Sequence, residues 1–165
     1  MTAPPRLPST PTTAPDREGG QREEGGLHLH PVRPAVLDHL VLRVADLERS
    51  TVFYRDVLGC AVEKWQPELG LLQLRAGSSL IDLVTLDGPL GREAGAGPAR
   101  EGRNLDHFCL RLEHFDEPAL RAHLAAHGVA ASPSAQRYGA QGYGVSLYIQ
   151  DPDGNSVELK APRPG

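Results

Sequence analysis

Aromatic side chains are scarce in this 165-residue chain, at 5% with a single Trp, which argues against a cleft that stacks flat ligands. An excess of positive charge is missing too. The formal net charge of -4 leaves no electrostatic footprint for nucleic acid. No apolar run approaches the roughly 20 residues that span a bilayer, so no membrane partner is expected. Residues 1–16 lack the apolar core of a secretory signal, and the chain reads as cytoplasmic. With only two cysteines, Cys60 and Cys109, a disulfide framework is excluded and both read as free thiols. Cys109 falls two residues after His107, on the same strand face.

What is present is a charged fraction of 23% and a hydrophobic fraction of 39%, the balance of a globular domain. Residues 1–34 stand apart, being rich in Pro, Thr, Gly and Glu. They read as a disordered tail, because they bury too little to offset their ordering entropy. His28 and His30 in this tail read as solvated residues rather than ligands. Order is expected from Val36, in a strand running to Val44. Asp46 then caps a helix with Leu47, Ser50, Thr51, Tyr54, Val57 and Leu58 at helical spacing, and Gly59 stops it. Strands are predicted over 62–65, 71–75 and 80–86. Residues 87–104, dominated by Gly, Pro, Arg and Glu, read as a linker or lid. A strand at 105–112 follows, then a helix with Pro118 in its first turn that stops at Gly128. Strands at 145–150 and 156–160 flank Asp151-Pro152-Asp153-Gly154, a turn sequence.

The two halves repeat. Leu37-Asp38-His39-x-x-Leu42-Arg43 returns as Leu105-Asp106-His107-x-x-Leu110-Arg111, and Ile81-Asp82-Leu83 aligns with Val157-Glu158-Leu159. Each half is a βαβββ-type unit, one supersecondary element used twice. Strand alternation sorts the side chains. Leu40, Leu42 and Val44 should face helices, while His39 and Arg43 face away; in the second half Phe108, Leu110 and Leu112 oppose His107 and Arg111. By the same rule Asp82 and Glu158 turn inward. Each module thus aims one imidazole and one carboxylate at a concave face, and an approximate two-fold axis would bring all four together. Two imidazoles and two carboxylates suit one divalent metal ion, and a metal would offset the cost of burying the carboxylates.

With these motifs in view, the chain resembles the vicinal-oxygen-chelate superfamily of glyoxalases, bleomycin-resistance proteins and extradiol dioxygenases. The resemblance rests on LDHLVLRVADLERSTVFYRDVLG at 37–59, LDHFCLRL at 105–112 and LYIQDPDGNSVELK at 147–160. It implies an α+β fold. Two tandem βαβββ modules would form an open, cupped mixed sheet around a metal, with the helices outside. The domain would span 35–162, with module one at about 36–87, a loop at 88–103 and module two at about 104–161. It also implies pairing of modules either within one chain or across a homodimer. The metal (Ni, Zn, Mn or Fe) would sit on His39, Asp82, His107 and Glu158, a set closest to that of glyoxalase I. Asp82 is one methylene shorter than the glutamate usual there. A three-ligand site, with Asp82 acting through water, therefore stays open beside the four-ligand one. The stretch Gly142-Tyr143-Gly144-Val145 stands where glyoxalase I often carries a basic residue, and Asp87 where it often has asparagine. Both departures count against a glutathione adduct as substrate.

The function so implied is a metal-dependent lyase or isomerase acting on a small oxygenated substrate through an enediolate-like intermediate. Glu158 would move the proton, with Asp82 matching it on the other side. Arg43, Gln73, Arg75, Arg111 and Tyr148 are the candidates for orienting an anionic substrate. The alternatives are a binding protein of the bleomycin-resistance type and an Fe(II) extradiol dioxygenase on His39, His107 and Glu158.

Overall fold

A computed structural model of the chain describes residues 34–97 and 104–163. The expected tail, His28 and His30 lie outside the described residues. Module one opens with β1 (His39–Val44), shorter than the strand predicted from Val36. Asp46 caps α1 (Leu47–Val52) as expected, its carboxylate accepting from the Arg49 amide at 2.9 Å. The helix does not continue regularly to Leu58. It widens into a π-helical turn, Phe53–Val57, where the Leu58 amide donates to the Phe53 carbonyl at 3.2 Å. The wider turn lets the adjacent Phe53 and Tyr54 both bury, which a 3.6-residue period does less readily. Gly59, at φ 72°, supplies the left-handed stop.

Three strands complete the module: β2 (Ala61–Gln66), β3 (Leu71–Ala76) and β4 (Ser79–Thr85). The stretch read as linker or lid contains a short helix, α2 (Pro89–Glu93), entered at Pro89. Module two repeats the pattern with β5 (His107–Arg111), α3 (Glu117–Ala126), β6 (Ala135–Gly139), β7 (Gly142–Gln150) and β8 (Ser156–Lys160). The strand β6 had no counterpart in the sequence reading, and β7 begins three residues before the predicted Val145. The sheets have matching orders, β1-β4-β3-β2 and β5-β8-β7-β6. In each, the first strand pairs in parallel with the last and the remaining pairs are antiparallel. This is the expected α+β pair of βαβββ modules. Among the described residues no helix is long and apolar enough to cross a membrane.

Alternation sorts the side chains as predicted. Leu42, Val44, Ile81, Leu83, Val157 and Leu159 are buried, and with Phe53, Tyr54, Leu124, Leu147 and Ile149 they make one core cluster drawn from both modules. The β7–β8 turn ties the halves together. The Tyr54 hydroxyl donates to Asp151 Oδ2 at 2.7 Å in a buried contact. Asp153 accepts from the Ala45 amide and the Ser50 hydroxyl, and His123 Nε2 meets the Val57 carbonyl at 2.9 Å. All of these contacts fall on the α1 side of module one, away from the strand face that carries His39.

Candidate metal centre

In module one, the register of β1 on β4 sets Val41 beside Asp82 and His39 beside Leu80, so His39 and Asp82 share a face. Asp38 Oδ1 holds His39 Nδ1 at 2.8 Å. That bond, with a further pull from Asp82, raises the imidazole above its ordinary pKa. Fixing Nδ1 on a carboxylate turns the Nε2 lone pair outward as a metal-binding nitrogen. Asp82 is 4% exposed. Its direct cross-strand partner Gln73 donates to Oδ2 at 3.0 Å, and Gln66 backs Gln73 at 3.3 Å. The other oxygen, Oδ1, is buried with no hydrogen-bond partner.

Module two rebuilds the same unit. Asp106 Oδ2 holds His107 Nδ1 at 2.7 Å. Glu158 is 6% exposed, with Oε2 standing 3.5 Å from His107 Nε2 and Oε1 buried without a partner. Tyr148, cross-strand from Glu158, sets its ring edge-on to His107 at 5.3 Å, and the Arg137 guanidinium covers that ring at 4.6 Å. Burial raises the Tyr148 phenol, and Glu158 adds to the shift. Cys60 and Cys109 are both free, the first buried and the second exposed. Although Cys109 is exposed as a residue, partial desolvation of its sulfur, then the charge of the cross-strand Glu158, push the thiol up to about 11.

The donor set fits a divalent cation. A buried carboxylate oxygen left bare costs about 1–3 kcal/mol or more, and each module has one on the strand face that carries its imidazole. The 3.5 Å between His107 Nε2 and Glu158 Oε2 is long for a hydrogen bond. It matches the roughly 3.4 Å between two donors of one tetrahedral ion. Module two therefore brings its histidine and carboxylate together, and module one sets His39 and Asp82 on one strand face. Within one chain the two pairs are not brought together: among the described residues no group of three or more His, Cys, Asp or Glu could hold a metal ion.

The orienting candidates divide. The Arg43 guanidinium donates to the carbonyls of Gly91, Ala94, Gly95 and Ala96 at 2.5–3.1 Å, clamping the α2 segment. Arg75 forms a forked ion pair with Glu63 at 2.6 and 2.8 Å. Gln73 positions Asp82, and Tyr148 borders His107. Arg111 keeps a buried Nε with no partner. Sequence reasoning missed the two aspartates that orient the imidazoles, although the repeated Asp-His pair was the available signal. Lys160 is buried, with its ammonium on the Arg137 and Gly144 carbonyls.

Comparison with known proteins agrees with this architecture. A catechol-2,3-dioxygenase of Bacillus subtilis is 32% identical over 124 residues, covering 74% of this chain but only 40% of that protein. The human mitochondrial methylmalonyl-CoA epimerase is 25% identical over 132 residues, covering 75% of this chain and 72% of that one. An integron cassette protein from the mobile metagenome of V. cholerae superposes with a TM-score of 0.64 at 30% identity, covering 80% of this chain and 98% of that one. Residues 36–159 match the family model itself, and the chain belongs to the Glyoxalase/Bleomycin resistance protein/Dioxygenase superfamily.

Proposed function

We propose that this protein is a divalent-metal-dependent lyase or isomerase that moves a proton next to a carbonyl of a small oxygenated substrate. In this reading its site is completed by a second copy of the chain, His39 and Asp82 of one protomer facing His107 and Glu158 of its partner. The observation that carries it is the pair of bare, buried carboxylate oxygens, Asp82 Oδ1 and Glu158 Oε1, each on the strand face of an imidazole already oriented by an aspartate. The ion would supply Lewis-acid stabilisation of developing negative charge on substrate oxygen. The chain's own residues do the rest. Glu158 takes the proton to give an enediolate-like intermediate, Tyr148 walls the site beside His107, and Gln73 keeps Asp82 in place. The chemistry of the epimerase relative supports a proton-transfer reading. The dioxygenase relative supports a second one, in which Fe(II) on the same residues cleaves a catechol. Fe(II)-dependent oxygen uptake with catechol separates the two.

The test is metal content and complementation. Wild type should load metal stoichiometrically, and His39→Ala and His107→Ala should each lose it. Unfolded and refolded together, the two variants should recover metal, because a two-fold heterodimer contains one site with both histidines intact. Wild type that takes up no divalent metal sinks the proposal, and absence of recovery on mixing sinks its dimeric site.

A further inference from the structure

The face of module two's sheet that carries His107 and Glu158 holds a row of cations that the ligand set does not use. Arg111 and Lys160 are direct partners across β5 and β8, and Ser146 is the partner of Lys160 on β7. Arg137 reaches into the same row, donating to the Ser146 carbonyl at 2.6 Å and hydroxyl at 3.1 Å. Lys160 is 3% exposed, and among the described residues neither it nor Arg111 forms an ion pair. Its stem runs over Gly139 and Gly144, where a Cβ would stand 3.3 and 3.5 Å from Lys160 Cε. The hairpin therefore leaves a lane in which the lysine lies deep. Two carbonyls satisfy two of the three ammonium protons, and among the described residues no carboxylate pairs with it.

A buried cation without a counter-ion is costly, and the fold does not demand one here. By sheet register the matching places in module one are Val84 for Lys160 and Leu71 for Ser146, while Arg43, the match to Arg111, is held by carbonyls. Glu158 lies two residues before Lys160 on the same strand face, about 6–7 Å away along β8.

We propose that Arg111 and Lys160 form a subsite for the carboxylate of the substrate, which is therefore a short oxygenated carboxylic acid. The acid lies along β8 with its charged end on these cations and its reacting carbon toward Glu158, a placement that rests on the catalytic reading of Glu158. Carboxylate is favoured over phosphate because the backbone amides here are committed to the sheet and leave only side-chain donors. These suit two oxygens of one charge better than three of two.

The test is calorimetric titration of the full-length protein, metal-stripped and metal-loaded, with 2-hydroxybutyrate, its neutral amide and inorganic phosphate. Wild type should bind the acid at least about tenfold tighter than the amide, the worth of a charge-assisted bond. Lys160→Met and Arg111→Met should each reduce that preference, with metal content unchanged. Arg111 is only half-buried, so its variant keeps the test alive if Lys160→Met does not fold. Equal binding of acid and amide, binding of neither, preference for phosphate, or a preference that survives both substitutions would overturn the assignment. A protein that takes no metal yet prefers the acid would overturn the catalytic reading and leave the subsite standing.

Discussion

Modules one and two share a strand order and an imidazole–carboxylate pair, yet their inward faces differ at most other matched places. Cross-strand from the carboxylate stands Gln73 in one and Tyr148 in the other. Two residues further along the closing strand stands Val84 or Lys160. The arginine near the end of the first strand keeps a buried Nε without a partner in both modules, but Arg43 is bound to four carbonyls and Arg111, among the described residues, to none. The two copies agree at the imidazole and the carboxylate and diverge where they meet different neighbours. Module one holds down the α2 segment, and module two presents the charged face.

The most severe way to break this comparison is to remove the aspartates behind the imidazoles. Asp38→Ala and Asp106→Ala should each weaken metal affinity about 10- to 100-fold, measured by competition with a chelator. A loss confined to Asp106→Ala would show that His39 is not a ligand and that the modules are not chemically equivalent. Next in size, Tyr54→Phe removes a buried bond to a carboxylate. It should cost about 1.5–3 kcal/mol in denaturant unfolding, in a single transition. Two separate transitions would show that the modules do not share one cooperative core. The smallest effect is expected from Arg43→Met, which should speed amide exchange over 89–96 about fivefold, the equivalent of ~1 kcal/mol. Arg111→Met should leave that segment's exchange unchanged; equal effects would erase the division of labour between the two arginines.

The sequence exposed whatever depends on local period and caps. Alternation placed His39, His107, Asp82 and Glu158 on their faces, and Asp46, Gly59 and Gly128 marked helix ends. It did not expose β6, because Ala-Gln-Arg-Tyr-Gly at 135–139 has no apolar alternation and is held as an edge by backbone pairing to β7. It did not expose α2, which hides in a Gly- and Pro-rich run and is secured by a distant arginine. The π-helical turn escaped because Phe53 and Tyr54 bury side by side, against the helical period. Nor could it decide how the two ligand pairs are brought together. Strand period fixes which way a side chain faces, whereas meeting depends on how whole modules are arranged.

The Asp151–Asp153 turn also bears on how the chain is made. Tyr54, Ser50 and the Ala45 amide find their partners 97 to 108 residues later in the sequence. During synthesis module one emerges first, with a buried hydroxyl and a helix entrance still unanswered. Those groups find their partners only once Asp151 and Asp153 have been made. The Asp151–Asp153 turn therefore acts as a closing latch, so a substitution that breaks it should loosen both halves, not merely the second.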